Sequence, residues 1–114
     1  MSNKKKLLFV CTINKMRSRT AHEIFKDDNR FLVNSAGTDS ESTQIISRDL
    51  LEWADTIIVM EKYHRNKIRK LYPDIYENKK IVCLYISDDY EYMQPELISL
   101  LKYRLNDVIN KGLI

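Results

Sequence analysis

Leu7-Leu8-Phe9-Val10-Cys11-Thr12-Ile13-Asn14-Lys15-Met16-Arg17-Ser18 is the stretch on which the fold turns. Its opening run is apolar and β-prone, and reads as a buried strand closing at Cys11. Ser18-Arg19-Thr20-Ala21-His22-Glu23-Ile24-Phe25 reads as the start of a helix, with Ser18 or Thr20 as its cap. A short loop therefore joins strand to helix. Successive backbone N–H groups of such a loop can turn inward, toward the point where the helix presents its positive end. Arg17 adds a planar fork matched to two phosphate oxygens. Cys11, at the base of that field, would be held as the nucleophilic thiolate. These parts fit phosphoryl transfer through a covalent cysteinyl-phosphate. The plainer alternative makes Cys11 an inert core residue and Arg17 a charge in the first turn of a helix. An arginine there opposes the helix dipole unless an anion answers it.

Size and composition agree with a small enzyme. A chain of 114 residues makes one domain, residues 1–114, able to bury a core without disulfides. Its two cysteines form neither a metal-ligand nor a disulfide framework, which points to a reducing compartment. Met1-Ser2-Asn3-Lys4-Lys5-Lys6 before an apolar stretch resembles the opening of a signal peptide. That stretch ends at Asn14-Lys15 with no small-residue cleavage site, and no later run is long enough to span a membrane, so a cytoplasmic location is expected. The net charge of +3 is only mildly basic. Lys62, Arg65, Lys67, Arg69 and Lys70 nonetheless crowd one helical stretch. We read it as a solvated helix face rather than a nucleic-acid footprint, though it could favour acidic or phosphorylated partners.

Strands alternate with helices along the chain. Strands are expected at Leu7–Cys11, Arg30–Asn34 (closed by Ser35-Ala36-Gly37), Thr56–Met60 and Lys80–Ile86. Helices are expected at Ser18–Asp28, Ser47–Ala54 and Glu61–Leu71, the last stopped by Pro73. Pro95 opens a final helix whose apolar stripe is Leu97, Leu101, Leu105 and Val108. Polar Thr38–Thr43 is a loop. The alternation implies a single-domain four-stranded parallel sheet with helices on both faces. Ligands of such sheets bind beyond the strand C-termini, where the Cys11 loop lies.

Four segments, in order, carry a resemblance to a known family: Val10 to Ser18, Asn34-Ser35-Ala36-Gly37, Ala54 to Glu61, and Ser87-Asp88-Asp89-Tyr90. The chain resembles the low-molecular-weight protein tyrosine phosphatases, and specifically a shortened bacterial branch. The resemblance implies Cys11 as nucleophile and Arg17 as the clamp on the equatorial oxygens. It implies a phosphate cradle running through Thr12, Ile13, Asn14, Lys15, Met16, Arg17 and Ser18. Asn14 would hold the loop in shape, a position suited to asparagine's tolerance of left-handed backbone. Ser18 would hydrogen-bond the thiolate, and Ser35 would belong to the supporting network. Asp88 aligns with the acid that protonates the leaving oxygen and then activates water. Read without the resemblance, Asp88 and Asp89 fit a solvated turn equally well. Asp89 stands in the family's proline position, so it could substitute for Asp88. Tyr90 could supply an aromatic wall for a phenyl phosphate, or simply cover the edge of the core.

The departures concern the surroundings of the loop. Only Thr38 to Asp55 bridges the second and third strands, where longer relatives carry a further helix and a bracing histidine. A shallower, more open site is expected. His22 and His64 read as a plain helix residue and a surface residue. Met16 replaces the second cysteine with which many relatives shield the nucleophile. Cys83 reads as a buried core residue. Lys15 stands where tyrosine phosphatases usually carry isoleucine and arginine phosphatases threonine.

The leading expectation is a phosphomonoesterase, of the protein tyrosine phosphatase type, with no metal and no cofactor. Its partner would be a phosphorylated protein or a small phosphate ester, with neither membrane nor nucleic acid as the expected partner. Two alternatives stand behind it. One is a catalytically weak module binding phosphate esters or nucleic acid. The other is an arsenate reductase, which needs further cysteines that the segment after Met60 does not offer.

Overall fold

The computed structural model describes residues 4–114. Met1–Asn3, part of the lysine-led segment weighed above as a leader, lie outside the described residues. The elements are β1 (Lys5–Cys11), α1 (Arg17–Phe25), β2 (Phe31–Gly37), α2 (Arg48–Trp53), β3 (Thr56–Val59), α3 (Lys62–Leu71), α4 (Pro73–Asn78), β4 (Lys80–Cys83) and α5 (Pro95–Asn110). The four strands form one sheet in the order β2-β1-β3-β4. All three pairings are parallel, with Leu8 opposite both Asn34 and Ile57, and Ile58 opposite Val82.

β1 is central and buried on both faces, which is why its apolar run is continuous rather than alternating. Leu7, Phe9 and Cys11 face the layer containing Ala21 and Phe25 of α1 and Leu97, Leu101, Leu105 and Val108 of α5. Leu8 and Val10 face the opposite layer, with Leu51 of α2, Ile68 of α3 and Ile75 of α4. Among the described residues no helix is long and apolar enough to cross a membrane.

Three local expectations need correction. Neither Ser18 nor Thr20 caps α1: both lie inside the helix, its N-cap is Met16, and the Thr20 hydroxyl donates back to the Met16 carbonyl at 2.7 Å. Pro73 does stop α3, but it also opens α4 as its first residue, where a missing N–H costs nothing. The fourth strand ends at Cys83 rather than Ile86. Tyr85 has φ 55°, so regular extended backbone cannot continue through it. Leu84 and Ile86 still bond β3 and its extension, donating to Val59 and Met60 at 2.9 and 2.8 Å.

Candidate active site

The loop leaving β1 is shaped by the segment that follows β2. Thr38 N–H donates to the Cys11 carbonyl at 3.0 Å, Asp39 N–H to Thr12 at 2.9 Å, and Thr43 N–H to Ile13 at 3.2 Å. The Ser42 hydroxyl also reaches Thr12 O at 3.0 Å, and the Thr43 hydroxyl reaches Asn14 O at 2.8 Å. The carbonyls of Cys11, Thr12, Ile13 and Asn14 are thus all held from one side. In a planar trans peptide, C=O and the following N–H point in opposite directions. The N–H groups of Thr12, Ile13, Asn14 and Lys15 consequently face the inside of the turn at the N-terminus of α1, an arrangement suited to an anion.

Two residues make this closeness feasible. Asn14 adopts φ 57°, the left-handed conformation asparagine tolerates. Gly37 admits the bracing segment, since a Cβ there would sit 2.7 Å from Thr12 O. That short polar stretch read only as a loop in sequence, yet it holds the turn.

Cys11 is buried at the end of β1, its sulfur 2.9 Å from the Ser18 hydroxyl. Ser18 Oγ accepts from Asn14 Nδ2 at 2.7 Å, and Asn14 Oδ1 accepts from the Thr43 hydroxyl at 2.9 Å. With its oxygen engaged as an acceptor, the serine hydrogen is left for the sulfur, a bond that a thiolate accepts.

Arg17 is 1% exposed although it opens a helix. Its Nη1 donates to Glu61 Oε2 at 2.7 Å and to the Ile86 carbonyl at 2.8 Å. Nη2 lies 3.4 Å from Thr12 Oγ1 and 3.6 Å from Asp88 Oδ1. Cys11, Thr12, Ile13, Met16, Arg17, Asp88 and Tyr90 together line one cavity of about 270 Å³. Asp88 projects there with its side chain 72% exposed. Asp89 does not line it, and instead accepts from the Ser87 hydroxyl at 2.7 Å.

Not every expected site residue faces this cavity. Asn14 and Ser18 are buried behind the loop. Lys15 is exposed and lines a separate cavity with Arg19, His22 and Tyr92. Ser35 supports at one remove: its hydroxyl meets His22 Nδ1 at 2.9 Å and its carbonyl accepts from Gln44 at 2.7 Å. His22 is therefore a tie between α1 and β2 rather than a plain helix residue. Burial lowers its pKa, with Arg19 acting in the same direction.

His64 is the larger correction. It is fully buried rather than on the surface. Its Nδ1 accepts from the Glu61 N–H at 3.0 Å, which places the ring proton on Nε2, 3.0 Å from Thr12 Oγ1. Burial, then the Arg17 charge, lowers its pKa to about 4. A neutral His64 thus donates to Thr12 and leaves the threonine hydrogen to point elsewhere. One signal was present in sequence: His64 precedes the core residue Ile68 by one helical turn.

No protein-family model and no curated protein sequence matches the chain. Solved structures do. Wzb of Vibrio vulnificus, in complex with benzylphosphonate, superposes with a TM-score of 0.77 at 20% identity, over 96% of this chain and 99% of that one. YwlE arginine phosphatase from Geobacillus stearothermophilus gives 0.70 at 20% identity, over 95% and 94%. SP-PTP, the low molecular weight protein tyrosine phosphatase of Streptococcus pyogenes, gives 0.72 at 16% identity, over 94% and 92%. The chain has the fold of the low-molecular-weight protein tyrosine phosphatases.

Proposed function

We propose that this protein is a metal-independent phosphomonoesterase of the protein tyrosine phosphatase type, acting through a phosphate carried on Cys11. The observation that carries the reading is the turn whose four carbonyls are held outward, leaving its N–H groups around the space above the Cys11 sulfur. Such a nest matches the equatorial oxygens of a phosphoryl group in transfer, whose charge it meets without reorganisation. Arg17 Nη2 adds a charged donor from the side.

In the first step the Cys11 thiolate forms a bond to phosphorus as the bond to the ester oxygen breaks. Asp88, across the cavity, gives the departing oxygen its proton. In the second step Asp88 takes a proton from a water that attacks phosphorus, the S–P bond breaks, and inorganic phosphate leaves. Ser18 donates to the sulfur at both ends of the cycle. Tyr90 lines the cavity while packing against the core, and an aromatic side chain there favours phosphotyrosine as the substrate class. A phosphorylated protein or small aryl phosphate is the corresponding partner.

Hydrolysis of p-nitrophenyl phosphate with excess chelator tests the reading. The parent chain is expected to turn over, with vanadate as a competitive inhibitor. Vanadate or sulfate binding in the loop without any turnover would instead identify a phosphate-binding module.

A further inference from the structure

A further cavity, of about 530 Å³, lies between β4 and the C-terminal turns of α5. Arg65, Lys80, Arg104 and Lys111 border it, against one acid, Asp107. That acid is already paired with Lys111 at 3.0 Å. The Arg104 Nε is buried and has no hydrogen-bond partner among the described residues. The groove is thus rich in cationic donors and poor in acceptors.

Its floor is the open edge of the sheet, since β4 is the last strand in the order. Leu84 and Ile86 donate toward β3 and its extension. In a parallel ladder alternate residues face opposite sides, so the N–H and C=O groups of Ile81 and Cys83 face away from β3, along the unpaired edge. Such an edge is a template for another extended chain unless something guards it. Here the guard is basic, which repels a basic strand and attracts an acidic one.

We propose that this edge binds an extended acidic segment of a partner protein, added to the sheet beside β4. Backbone groups of Ile81 and Cys83 would pair with the segment, and its carboxylates would meet Lys80, Arg65 and the Arg104 guanidinium. A nucleic-acid strand could answer the charges but has no peptide ladder to offer the edge. The surface stands on its own, whether or not the Cys11 cavity is catalytic.

Fluorescence anisotropy of a labelled decapeptide of alternating glutamate and valine tests the proposal on the full chain. The matching lysine–valine peptide and oligothymidylate serve as comparison probes. The acidic peptide is expected to bind saturably and to slow amide hydrogen exchange at Ile81 and Cys83. Lys80→Ala with Arg104→Ala should weaken it by about tenfold or more, leaving p-nitrophenyl phosphate turnover unchanged. Ile81→Pro should abolish binding, because it removes an outward N–H without touching the β3 ladder. If circular dichroism shows Ile81→Pro unfolded, the alanine pair decides. Absence of binding, indifference to the alanine pair, tighter oligothymidylate binding through the same residues, or protection confined to Thr12–Arg17 would overturn the proposal.

Discussion

Arg17 and Glu61 form an ion pair of 2.7 Å in which the arginine side chain is 2% exposed and the glutamate 39%. The pair, with the Ile86 carbonyl, holds Nη1 and so turns Nη2 toward Thr12 and Asp88. A guanidinium tethered at one nitrogen has lost most of its rotational freedom before any ligand arrives. That preorganisation is what a phosphate clamp needs.

Glu61→Ala should therefore weaken the site by freeing the Arg17 guanidinium. A hydrogen bond to a charged group contributes about 1.5–3 kcal/mol, so kcat/KM for p-nitrophenyl phosphate should fall by about tenfold or more. Steady-state kinetics check this, and an unchanged kcat/KM would mean that Arg17 needs no tether.

Asp88→Asn should slow phenyl phosphate far more than p-nitrophenyl phosphate, because a strongly basic leaving oxygen depends most on a proton donor. Asp89→Asn should do little, since Asp89 bonds Ser87 and does not line the cavity. Comparing both variants on both substrates decides the assignment. Leaving-group dependence in Asp89→Asn alone would move the acid to that residue.

His64 should make stability pH-dependent. Its folded pKa, about 4, lies below the ordinary histidine value of 6.5. As pH falls through 6.5 the unfolded chain binds a proton that the folded chain refuses until about 4. The contribution is complete above that window and lost progressively across it, on the order of 3 kcal/mol. Urea unfolding at several pH values should show a steeper acid loss in the parent than in His64→Gln. Parallel pH profiles would show that the buried ring does not resist protonation.

Peroxide should oxidise Cys11 without forming a disulfide to Cys83. The two cysteines lie on strands separated by β3 and pack into opposite layers. Their Cα atoms are roughly 10 Å apart by sheet spacing, beyond the ~7 Å a disulfide spans. Burial also raises the Cys83 thiol pKa, making it a poor attacking group. Peptide mass spectrometry should find sulfenic or higher acids on Cys11. A Cys11–Cys83 bridge as the main product would contradict this arrangement.

The sheet and its helical layers were legible because β1 is a short apolar run with a phosphate-type loop behind it, and because apolar stripes such as Leu97-Leu101-Leu105 repeat at helical spacing. What escaped reading depends on contacts distant in sequence. Ser18, a cap by residue type alone, instead makes the bond to the Cys11 sulfur that the family resemblance implied. Thr43 looks like loop filler, but its hydroxyl lies within hydrogen-bond reach of both the Asn14 carbonyl and Oδ1. His64 sits among Lys62, Arg65 and Lys67 and so reads as solvent-facing, yet the helix turns it inward beside Ile68. Tyr85's left-handed backbone cuts short a strand that composition alone would have continued to Ile86.

A phosphate carried on Cys11 can be trapped there. Asp88→Asn, lacking the group proposed to activate water, should accumulate the intermediate during turnover of p-nitrophenyl phosphate. Rapid acid quench and peptide mass spectrometry should then find phosphate on Cys11, and none in a Cys11→Ser chain, which should also be inactive while keeping its fold. Turnover that persists in Cys11→Ser, with no phosphate on any cysteine of the parent, would contradict the account.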